Sequence, residues 1–335
     1  MTQTATAPRQ RGFALLLVLW AVMILGVVAA AMLAGSKASQ RQAYDGVDTL
    51  RRNAIEDAAL ARAVAGAFAS VASAKQPGIA APADPKKLHW RRDGTPETIR
   101  FDGHVITVAI QDESGKVDIN VASKDTLTAL LKTTDLSGAD IEDLTNHIID
   151  WRSNPKVSAK DNIVPVEYVG LGYPYHSRHG PFQTIDELRL VDGMTAEVYD
   201  QIASGITVYS GRKDIDPATA PLAALMTLPG LDRQKAIDVI AGRDRGIPYS
   251  PPPGQTTIGS SASPGAPAAP APAAGAGPGG PANADGIIGH ALSITAVVEL
   301  DKGREAIRRS VVRIVGAEEP VYVILRDEEH VQRRQ

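Results

Sequence analysis

Imidazole, thiol and carboxylate do most acid–base, nucleophilic and metal chemistry, and this 335-residue sequence holds seven histidines and no cysteine. Without cysteine there is no thiolate nucleophile, no disulfide framework and no thiolate zinc site. The histidines are scattered. His176 and His179 are the one close pair, beside Tyr173, Tyr175 and Arg178, with no run of metal-ligating residues around them. No phosphate loop and no nucleophile elbow occurs. The Asp and Glu residues fall on predicted helix faces and in caps, where a solvated carboxylate is the ordinary case. The pattern predicts no enzyme.

One peptide bond is nevertheless marked for chemistry, between Gly12 and Phe13. A leader from Met1 to Gly12 carries Arg9 and Arg11 and no acid, and no charge lies between Arg11 and Lys37. Residues 12–36 make 25 in a row, where a bilayer core of roughly 30 Å needs about 20 helical residues. Three readings follow. A secretory signal would have an apolar region of roughly 7–15 residues, with Ala29-Ala30-Ala31 as its cleavage site. A plain membrane anchor is the second. The third is that the leader resembles that of a type IV prepilin, which a prepilin peptidase cuts between glycine and phenylalanine, here Gly12 and Phe13. Glycine suits a bond that must present bare, flexible backbone to a protease. Arg9 and Arg11 predict a cytoplasmic leader and a head outside the inner membrane.

The elements behind that bond begin with a helix. No proline occurs between Phe13 and Pro77. Val47, Leu50, Ala54, Ala58, Ala61, Ala65 and Phe68 recur at helical spacing as a predicted apolar stripe. One helix from 13 to about 74 would run on the order of 90 Å; a break near Gly35 or Gly46 is the alternative. Beyond a Pro/Ala/Gly loop, Asp102-Gly103 between two β-rich runs predicts a hairpin. Asn120 and Ser123 suit N-caps. Helices follow, broken at Ser137-Gly138, and Thr184 with Glu187 has capping-box form. Asp214-Ile215-Asp216-Pro217-Ala218-Thr219 echoes Asp118-Ile119-Asn120-Val121-Ala122-Ser123 at an offset of 96, an internal duplication. Residues 248–284 are too poor in large apolar residues to fold, and three strands close the chain.

The predicted fold class is α+β, with a long pilin-like N-terminal helix packed on an antiparallel sheet and a large inserted all-α domain of helix-hairpin-helix, SAM-like type. The expected boundaries are leader 1–12, span 13–36, amphipathic continuation 37–76, strand region 77–117, helical insert 118–247, disordered linker 248–286 and returning strands 287–335.

Leu228-Pro229-Gly230-Leu231 between two helices resembles a helix-hairpin-helix turn, whose amides meet phosphate in DNA-binding members. This suggests an alternative function, a membrane-anchored DNA receptor. Residues 115–246 hold 14 Lys and Arg against 19 Asp and Glu. Phosphate contacts dominate non-specific affinity, so no nucleic-acid partner is predicted.

In order, Arg11-Gly12-Phe13, Asp112-Glu113-Ser114-Gly115-Lys116-Val117-Asp118-Ile119-Asn120, Ile149-Asp150-Trp151, Gly180-Pro181-Phe182, Glu187 through Gly193 and the last helical hairpin resemble the protein K family of type II secretion systems, the largest minor pseudopilins. The resemblance implies a single-pass inner-membrane protein with a periplasmic head. It implies a place at the tip of the pseudopilus, where the protein initiates or caps assembly for export of folded proteins across the outer membrane. The implied partners are minor pseudopilins I and J, other pseudopilins and the prepilin peptidase. Most pilins carry a glutamate at the fifth mature position; here that position is Leu17, as the family implies for a subunit with none above it. Some members bind calcium, which takes six to eight oxygens. The matching loop, Arg152 to Lys156, is less acidic, and Asp150, Asp161 and Glu167 are the weak candidates. No other cofactor is expected.

Overall fold

The structure is a computed structural model that describes residues 11–75, 90–101, 103–154, 163–247, 249, 287–300, 304–315 and 322–333. The leader before Arg11, the loop around 77–85 and the 248–286 linker (Tyr249 apart) lie outside the described residues. Two compact units divide at Ala58/Ala59.

Helix α1 (Arg11–Lys75) is a single α-helix of 65 residues with no break at Gly35 or Gly46. In the first unit its segment Leu15–Met32 is uncharged, exposed, and long and apolar enough to cross a membrane. The amphipathic stripe differs from the predicted one. Leu50, Ala54, Ala61 and Ala65 are exposed, whereas Ala59, Leu60, Ala63, Val64 and Ala67 are buried in the second unit. Alanine recurs on every side of this helix, so alanine spacing could not choose a face; the branched Leu60 and Val64 do. Gly66 has the Trp90 ring 3.0 Å from where a Cβ would stand, so a side chain there would push the ring by a few tenths of an ångström.

The second unit also contains a five-stranded antiparallel sheet in the order β1-β2-β5-β6-β7. Its strands are β1 (Asp93–Phe101), β2 (His104–Asp112), β5 (Ala291–Leu300), β6 (Arg304–Ile314) and β7 (Tyr322–Arg333). Phe101 pairs with His104, so β1 and β2 form the predicted hairpin, with Gly103 at φ 79°. Alternation sets the buried face. Ile106, Val108 and Ile110 on β2, Ile294, Ala296 and Val298 on β5, and Ala306, Val312 and Ile314 on β6 are all buried.

Between β2 and β5 the regular elements of the described chain are helices joined by turns and irregular loops, apart from the two-residue parallel pair β3 (Val117–Asp118) and β4 (Ile206–Thr207). The helices are α2 (Lys124–Leu131), α3 (Gly138–Arg152), α4 (Ala196–Ile202), α5 (Leu222–Leu225) and α6 (Arg233–Asp244). Their core gathers Leu127, Leu130, Leu144, Ile148, Leu188, Ile202 and Leu225 around buried Trp151. The Trp151 ring meets Tyr168 edge-on at 5.3 Å, meets Tyr175 at 6.2 Å and stacks on Phe182 at 6.3 Å. Aromatic pairs of this kind add about 0.5–1.5 kcal/mol beyond area burial. The sequence around Thr184 departs from a capping box. Ile185–Leu190 is a 3₁₀ turn, Thr184 makes no side-chain cap, and Glu187 accepts from the N–H of Gln183. A 3₁₀ turn closes a residue earlier than an α-turn, so the two side chains lack the reciprocal geometry.

Candidate interaction surface

The helical section meets the sheet at the end of β2, through a seat built from Asp112, Glu113, Ser114 and Gly115. Asp112 is fully buried. It accepts from Arg92 Nη1 at 2.9 Å, from the Ser114 N–H at 3.0 Å and from its hydroxyl at 2.7 Å, and His290 Nδ1 lies 2.9 Å away. Burial pushes this carboxyl up, but His290, Arg92 and Ser114 outweigh it and hold the group below its ordinary value. Buried Glu113 accepts from Lys116 Nζ at 2.7 Å and from the Ser293 hydroxyl at 2.6 Å. Two buried carboxylates are thereby neutralised where the chain leaves the sheet.

On this seat rests the turn before α5. The N–H of Asp216 donates to Ser114 O at 2.9 Å, and Gln111 Nε2 donates to Thr219 O at 2.8 Å. A Cβ on Gly115 would stand 2.6 Å from Thr219 and 2.7 Å from the Ala220 nitrogen, so only glycine fits. Arg91 pairs with both Asp93 and Asp244, tying β1 to the end of α6.

The turn before α5 has a counterpart before α2. Asp118 Oδ1 accepts from the N–H of Asn120, and Asp216 Oδ1 from that of Ala218, both at 2.9 Å. The carbonyl of each aspartate accepts from the residues three and four later, Val121 and Ala122 in one case, Thr219 and Ala220 in the other. Ser123 and Pro221 then N-cap α2 and α5. At the far end of each hairpin a half-buried arginine reaches back. Arg152 donates to the carbonyls of Ile119 and Ala122, and Arg243 to those of Pro217 and Ala220. Burial lowers the pKa of both arginines. The duplication thus superposes Asp118 on Asp216, an offset of 98 where the sequence text suggested 96. Textual identity of Asp-Ile aligned Asp118 with Asp214, whereas the turn is defined by which carboxylate takes the amide two residues on.

Beside the first hairpin lies an open cleft of about 490 Å³. Val121, Ala122, Ser123, Lys124, Ile149, Arg152, Ile163 and Lys213 line it. Asp118 Oδ2 accepts from the Gly211 N–H at 2.7 Å and from the Ser210 hydroxyl at 3.2 Å.

The residues singled out from sequence fall apart into separate places. Gly12 and Phe13 are the second and third residues of α1, and Leu17 is an exposed residue of its apolar segment. Ser123 is an N-cap as expected, its Oγ accepting from Thr126 N–H. Asn120 is not. It clasps the Phe182 backbone, accepting from its N–H at 2.7 Å and donating to its carbonyl at 3.0 Å. Of the calcium candidates, Asp150 is fully buried with Oδ2 accepting from the Val166 N–H, Glu167 is exposed, and Asp161 lies outside the described residues. Among the described residues Asp150 Oδ1 has no hydrogen-bond partner, and it faces His179 Nδ1 at 3.8 Å. One backbone-bonded carboxylate beside an imidazole does not make an oxygen-rich calcium cage, and among the described residues no three His, Asp or Glu side chains gather as metal ligands. At the Leu228–Leu231 turn, Lys235 Nζ donates to Gly230 O and pairs with Asp232, both at 3.1 Å. Lys235 is thereby engaged within the turn. Sequence reasoning named Arg152 and Gly115 only as parts of family-like stretches and assigned no structural role to them, to Arg243 or to His290. The acid-flanked Ser114-Gly115 was a signal for the seat, since a glycine after a strand marks close backbone approach.

Residues 107–211 match the family model for type II secretion system (T2SS) protein K. No curated protein matches the chain in sequence. Among solved structures, a chain in the crystal structure of the GspK-GspI-GspJ complex from the enterotoxigenic Escherichia coli type 2 secretion system matches with a TM-score of 0.53 at 11% identity, covering 86% of this chain and 99% of that one. The likeness is carried by the mixed helix and antiparallel sheet. In sequence over residues 107–211 the chain is similar to type II secretion system protein K, and in fold over most of its length it is similar to a chain of that complex.

Proposed function

We propose that this chain is a minor pseudopilin of a type II secretion system, anchored once in the inner membrane with its head in the periplasm. The observation that carries the reading is one of placement. The stretch similar to protein K runs from within β2 to just past β4. That stretch sits in a chain whose single 65-residue helix begins with an uncharged, exposed, membrane-length segment. A helix that is half lipid anchor and half part of a folded head is the design of a filament subunit. On this reading the helical section is a helix-hairpin-helix insert in a pilin-like sheet, and Leu17 marks a subunit with no neighbour above it. A carboxylate within the span is costly without its partner. The partners are then minor pseudopilins I and J in a tip complex, by analogy with the solved GspK-GspI-GspJ assembly. No metal and no enzymatic step are assigned.

The test is the mature N-terminus. Co-expressed with a prepilin peptidase, the chain should yield a protein that begins at Phe13, read by intact mass and N-terminal sequencing. Processing near Ala31, or retention of Met1, would overturn the proposal. Gly12→Leu should block the cut.

A further inference from the structure

We draw no further inference here: the strongest candidate, the exposed apolar patch of Val315, Val323, Ile324 and Leu325 where β6 ends and the edge strand β7 begins, carries none because nothing in the structure shows what covers it.

Discussion

At Asp112 an imidazole, a guanidinium, an amide and a hydroxyl converge on one carboxylate that solvent does not reach. Its folded pKa lies below its unfolded one, so its contribution is complete above the unfolded value near about 4 and is lost as pH falls through the folded value. Urea titrations should therefore show stability falling below about pH 4, with the fall shallower in Asp112→Ala. At neutral pH that substitution should cost about 3 kcal/mol, because it leaves Arg92 facing His290 without their shared counter-ion. Asp118 behaves in the opposite sense. Burial raises its pKa against the bonds from Asn120, Gly211 and Ser210, so its contribution is present below the unfolded pKa and lost as pH rises through the folded one. The two carboxylates lie six residues apart in sequence and differ because only one is given cations at bonding distance.

Among the elements, the two hairpins are the informative pair. Arg152→Met or Arg243→Met keeps the apolar stem but leaves two carbonyls without their donor, and each should cost about 2 kcal/mol by thermal or chemical denaturation. Lysine at either position should rescue little, since an ammonium lacks the fork that spans both carbonyls. Much at this scale was legible in the sequence. The Asp102-Gly103 turn fixed the β1–β2 register, and β-branched runs located β5 and β6. The membrane-length segment declared itself by composition. What was not legible shares one physical cause, which is that it depends on contacts between residues far apart in the chain. The buried stripe of α1 follows its packing within the second unit rather than alanine spacing, and Asn120 turns from capping to clasp Phe182, 62 positions away. The arginine pair escaped notice because the copies differ in length between their conserved parts.

Within the second unit, Gly115 lies where the end of β2 meets the turn before α5, with no room for a side chain. Gly115→Ala should force Thr219 and Ala220 away, costing about 1–3 kcal/mol by overpacking. The loss should fall on the join rather than on either core. Calorimetry should then resolve two transitions where the parent shows one, and limited proteolysis should cut first between the two parts. The Trp151 cluster stays intact in this variant, so tryptophan fluorescence from the helical core should report the later transition.

The spacing within the hairpins has an evolutionary consequence. From the Ser137 cap to Arg152 is 15 residues, and from the Asp232 cap to Arg243 it is 11. The difference is four residues, close to one turn of about 3.6, so the arginine returns to the same side of its helix after the indel. Since the ancestral copy was doubled, length has drifted by a whole turn while a change of one or two residues would have swung the guanidinium off its carbonyls. Descendants of this repeat should therefore gain or lose sequence here in steps of three or four, and a library of one- to four-residue deletions in α3, selected for soluble expression, would recover that periodicity.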